Sequence, residues 1–82
     1  MKDPANRESM AAIYRLVEKY ETAPLIHSAN EATNYFKAAL ADVDAIYTKY
    51  DGHTFAQQFA LALYAAIEQN FKKVNPGPLL ED

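Results

Sequence analysis

Apolar residues recur at three- and four-residue intervals in three separate blocks of this chain, and each block is bounded by residues that start or stop helices. In the first, Met10, Ile13, Tyr14, Leu16, Val17 and Tyr20 share an arc about 160° wide at ~100° per residue, with Glu8, Arg15, Glu18 and Lys19 opposite. Asp3-Pro4 opens it: the carboxylate can accept from an orphan amide, and proline at the first helical position gives up no bond. Pro24 ends it, because the residue before a proline is driven out of the helical region. The connection that follows holds Leu25 and Ile26, and the expectation is that both plug the end of the fold, since exposure would forfeit ~1.5–3 kcal/mol each.

The second block is the cleanest. Ala32, Tyr35, Phe36, Ala39, Leu40, Val43, Ile46, Tyr47 and Tyr50 fill an arc of about 140°, behind a capping box at Ser28-Ala29-Asn30-Glu31. Asp51-Gly52 closes it, the glycine being free to adopt the left-handed backbone. Thr54-Phe55-Ala56-Gln57 reads as a second capping box, so the second and third blocks should form an antiparallel hairpin. The third block spreads Phe55, Phe59, Leu63, Tyr64, Ile67, Phe71 and Val74 over about 180°, the widest stripe of the three, which predicts the most buried helix. Lys72 and Lys73 suit its C-terminal end, and Asn75-Pro76-Gly77-Pro78 forbids continuation.

The pattern therefore predicts an all-α fold, a small antiparallel three-helix bundle with helices at about 4–21, 29–50 and 55–73. Residues 1–82 form one domain, and 75–82 are a Pro/Gly-containing tail whose Leu79-Leu80 either hangs free or covers the helix ends. Fifteen alanines, many at stripe margins, permit close approach of the helix axes.

Composition narrows the function classes. At 82 residues the core is small, and a deep substrate cleft would remove packing it can scarcely lose. A net charge of −3 gives no footprint for nucleic acid, and residues 42–82 hold 3 basic against 6 acidic side chains. The apolar stretch from Phe55 to Ile67 is 13 residues, short of the roughly 20 that cross a bilayer. The first residues show no apolar leader core and there is no cysteine, so the expected setting is the cytoplasm, with no membrane insertion.

Chemistry is sparse. His27 and His53 both fall in connections, and Asp51-Gly52-His53 offers too few ligands for a metal sphere. Asp42 and Asp44 are expected on the solvated face, an i,i+2 pair pointing to different sides of a helix. Ser28 and Thr54 are committed to caps, Ser9 lies within a helix, and two glycines cannot make a phosphate-cradling loop. The expectation is a non-enzyme without cofactor or metal.

Six tyrosines are the compositional oddity. Most suit bundle-edge positions where the ring is buried and the hydroxyl wet, although the same property favours interfaces. Tyr14 and Tyr64 stand at the margins of their arcs, and Leu61 projects on the polar side of the third helix, three residues before Tyr64. Leu61, Tyr64 and Tyr14 are thus the candidate protein-contact residues. They suggest a small acidic module that associates with another protein, or with itself as a homodimer, through an outward ridge of the third helix. A second reading is a small-ligand or peptide binder using a gap between helices near Tyr35, Phe36, Phe59 and Leu63.

The size, acidic helical character and amphipathic hairpin followed by Pro76-Gly77-Pro78-Leu79 also look like the bacteriocin immunity proteins of lactic acid bacteria. That resemblance covers layout and a tetrapeptide. It implies a cytosolic antiparallel bundle that protects the producing cell by associating with the toxin's receptor complex. The family supplies a fourth helix and tail beyond the point where this sequence stops.

Overall fold

The computed structural model describes residues 2–79, and they form three helices in the order predicted: α1 (Pro4–Tyr20), α2 (Ala29–Lys49) and α3 (Thr54–Val74). The described residues contain no β-strand. Helix α3 packs against both others and most extensively against α2. Asp3 lies near His53 at one end and Asn70 reaches Glu21 at the other, so α1 runs parallel to α3 and α2 runs against both. The result is an elongated rod with Cα extents of 47 × 18 × 15 Å. A rod this thin leaves room for one layer of side chains between the axes.

The caps explain two of the three starts. Asp3 Oδ1 accepts the Ala5 amide at 2.9 Å, with Pro4 at the first helical position, and Ser28 Oγ accepts the Glu31 amide at 3.2 Å. The second capping box does not form. Helix α3 begins one residue early, with His53 at the cap and no side-chain capping bond, because the preceding turn is tight: the His53 amide donates to Tyr50 O and Gly52 sits at φ +84. That is the third position of a turn in which only glycine is unstrained. Gln57 is spent elsewhere, its Nε2 donating to Tyr47 O at 3.2 Å and so serving one of the last carbonyls of α2.

The main core joins Tyr20, Ala39, Val43, Ile46, Tyr50, Ala56, Ala60, Leu63 and Ile67, and a smaller cluster joins Ile26, Ala32 and Phe71. Leu63 and Ile67 are buried as the stripe predicts, but Phe55, Phe59 and Val74 are not, and α3 is rotated accordingly. The reason is the residues it meets. Ser9, Ala39, Ala56 and Ala60 have no exposed surface at all, so small side chains occupy the interior there, and the two phenylalanines stand in the groove beside Ser9 and Met10. Ser9 is tolerated there because its Oγ donates to Asn6 O at 2.9 Å within its own helix.

The α1–α2 connection is only half a plug. Ile26 is buried, while Leu25 is 70% exposed. What fixes the segment is polar: Asn75, the residue after α3, accepts the Ile26 amide at 3.0 Å and donates to Pro24 O at 3.0 Å and to Phe71 O. Asn70 Nδ2 donates to Glu21 O at 2.7 Å. Leu79 packs against the smaller cluster, so the tail covers this end of the bundle as far as it is described; Leu80 lies outside the described residues.

Candidate interaction surface

The tyrosines sort themselves first. Tyr20 and Tyr50 are buried, Tyr35, Tyr47 and Tyr64 are half-buried, and only Tyr14 is largely exposed, at 64%. The Tyr20 hydroxyl donates to Asp42 Oδ2 at 2.6 Å and the Tyr50 hydroxyl to Glu8 Oε2 at 3.2 Å, so both rings are held in the bundle by an acid on a neighbouring helix. Asp42 is thereby not the solvated residue its spacing suggests. It also takes Lys19 Nζ at 2.7 Å, and these two donors hold its carboxyl below the usual range, Lys19 contributing more than Tyr20. Burial, then the bond to Asp42, raises the Tyr20 phenol. Spacing along α2 gives no hint of this, because both donors lie on α1.

The proposed gap between helices is filled. Tyr35, Phe36 and Phe71 stack with ring centroids 4.8–5.6 Å apart, and Tyr20 closes on Tyr35 at 5.9 Å. The Tyr35 hydroxyl is buried there without a hydrogen-bond partner among the described residues, and burial raises its pKa. Phe36, Phe59 and Leu63 face three different grooves of about 360, 200 and 230 Å³, all of them open to solvent. Among the described residues no three His, Asp or Glu side chains converge as a metal site, and no helix is long and apolar enough to cross a membrane.

What remains is a surface. Among the described residues eight large hydrophobics are exposed, and six of them lie on one side of the rod: Tyr14, Val17, Leu40, Phe55, Phe59 and Leu61. Their order follows from the grooves and from ~100° per residue on each helix. Leu40 of α2 shares one groove with Phe36 and with Tyr64 of α3. Leu61 stands one turn before Tyr64, and Ala62, Ala65 and Gln58 continue across the outward face of α3. Phe55 and Phe59, their rings 6.3 Å apart, share the opposite groove with Met10 of α1. Tyr14 follows one turn beyond Met10. Leu61 and Tyr64 therefore sit toward one margin of this surface and Tyr14 at the other, with the exposed face of α3 between them.

That face carries no charge for three turns and more. Residues 52–67 are the longest run in the chain without Asp, Glu, Lys or Arg, and its exposed members within α3 are Thr54, Phe55, Gln58, Phe59, Leu61, Ala62, Ala65 and Ala66. Scattered exposed hydrophobics are ordinary, and what sets these apart is the uncharged helix face beside them. The signal was present in the sequence as an absence of charge; periodicity absorbed it into the core. No protein-family model, curated protein or solved structure matches this chain.

Proposed function

We propose that this protein acts by association with another protein chain, without catalysis, and that the outward face of α3 is the surface it uses. One observation carries the reading: the side of α3 that faces water over its first 14 residues has no charged side chain. Solvated helix faces hold charge, whereas the centres of protein interfaces are depleted of it and enriched in aromatic residues such as Phe55 and Phe59. The grooves on either side are shallow and open, which suits side chains of a partner better than a small ligand.

A pair of substitutions two positions apart tests this. Leu61→Glu, on the exposed face, should leave unfolding free energy within ~0.5 kcal/mol and abolish association, read by light scattering and by retention of protein from a native extract. Leu63→Ala, in the core, should cost ~2–5 kcal/mol. An association that survives Leu61→Glu together with Phe59→Glu would remove the face from consideration.

A further inference from the structure

Helix α1 is held differently from the other two. Of its 17 residues only Ser9 and Tyr20 are buried, against four of 21 in α2 and five of 21 in α3. Ala5, Ala12, Ile13 and Leu16 add contact that stays half open to water. Polar ties supplement it, and they stand at both ends. Lys19 Nζ and the Tyr20 hydroxyl reach Asp42 at 2.7 and 2.6 Å, the Tyr50 hydroxyl reaches Glu8 at 3.2 Å, and Asp3 faces His53 at 3.9 Å. The α2–α3 pair is apolar by comparison. Val43, Ile46, Leu63 and Ile67 are buried in one cluster, and Phe36 meets Phe71 with ring centroids 4.8 Å apart. Water can take over a lost hydrogen bond at small net cost, but it cannot take over apolar burial. That makes α1 the most easily detached of the three.

The connection sets where α1 turns. Asn70 holds Glu21 O, and Asn75 holds Pro24 O and the Ile26 amide, so the chain beyond Glu21 is fixed to the end of α3. Glu21 itself is exposed and lies just past the helix. We infer that α1 is a hinged lid: it swings as one helix about Glu21, away from an α2–α3 hairpin that stays paired. Opening breaks the ties to Asp42, Tyr50 and His53, and it uncovers Leu63 and Ile67, which share a groove with Val17 and Tyr20. It also carries Met10 away from Phe55 and Phe59, with which Met10 lines the other α1–α3 groove. As a motion the lid rests on the packing alone; as a control on the surface around Phe59 it rests on the association reading above. Openings of this size lie between fraying of an end and global unfolding.

Native-state hydrogen exchange of the whole chain separates the two joins. With intrinsic rates divided out, amides from Ile13 to Tyr20 should share one opening, at least about a hundredfold more frequent than that of Val43, Ile46, Leu63 and Ile67. Two variants then sort contacts by whether the open form keeps them. Tyr20→Phe retains the ring and loses the bond to Asp42, which both openings break, so it should speed exchange in α1 and in the hairpin by the same factor, about threefold or more. Phe71→Leu weakens packing that the open form keeps, so it should speed the hairpin amides about tenfold and leave those of α1 within about twofold. Amides of α1 that speed up with the hairpin in Phe71→Leu would show a single unit and overturn the lid. Protection that declines stepwise toward Pro4 would overturn it too, because that is fraying and not a swing about Glu21. Exchange reads the motion whether or not a partner binds, so its failure is distinct from a failure of Leu61→Glu to disturb association.

Discussion

The two ends of the bundle are built on opposite plans. At the end where α1 and α2 are joined, the interior is aromatic: Tyr20, Tyr35, Phe36 and Phe71 pack ring on ring, and Asn70 and Asn75 tie the connection down. At the other end α1 and α3 meet on Ser9, Ala56 and Ala60, and the phenylalanines of that end, Phe55 and Phe59, are outside. The first end keeps its large rings for stability. The second fills its interior with small side chains and leaves its rings on a neutral face, the composition on which the proposed contact rests. Substitution of like residues at the two ends is the sharpest way to break that contrast. Phe71→Ala should cost about 3–5 kcal/mol in chemical denaturation, and Phe59→Ala under about 1 kcal/mol. Equal losses would mean that both ends are core.

How far the sequence anticipates this depends on the range of the interaction. Asp3-Pro4, Ser28 and Gly52 act within three or four residues, so the starts and stops of the helices can be read from them to within a residue or so. The rotation of α3 cannot. Its wide stripe holds both Phe59 and Ala60, and which of them faces the axis is decided by Ser9 and Ala39 on other helices. Asp42 is the same lesson in polar form: its partners are 22 and 23 residues away, and its own helix says only that it could be wet. The exposure of Leu61 is legible because it breaks the pattern of its own helix, whereas Phe55 and Phe59 conform to that pattern and are misplaced by it.

The clamp at the aromatic end gives an intermediate effect. Asn75→Ala removes the acceptor of the half-buried Ile26 amide together with two donated bonds, and should cost about 1–3 kcal/mol. Hydrogen exchange locates the damage. The Ile26 amide should lose protection while amides around Ala56 and Ala60 keep theirs, showing that the two ends can be loosened separately. Uniform loss of protection would show instead that the rod unfolds as one unit.

The smallest effect comes from the polar tie between α1 and α2, where Asp42 receives Lys19 and Tyr20. Asp42→Asn keeps an oxygen for the Tyr20 hydroxyl but removes the charge that strengthens the bond, a loss of about 1 kcal/mol near neutral pH. Its sign with pH follows from the shift. The folded carboxyl titrates below its unfolded value of about 4, so its contribution is complete above that value and disappears as pH falls through the lower folded one. The parent should therefore lose stability more steeply than Asp42→Asn on acidification below pH ~4, and the two curves should converge there. On the alkaline side Tyr20 is shifted upward by burial and by Asp42, so its contribution holds below about pH 10 and fades as pH rises through the raised value. Exposed Asp44→Asn serves as the reference and should change stability by less than ~0.5 kcal/mol at neutral pH. If Asp42→Asn and Asp44→Asn give the same acid limb, the tie contributes nothing to stability, and α1 and α2 are joined there by packing alone.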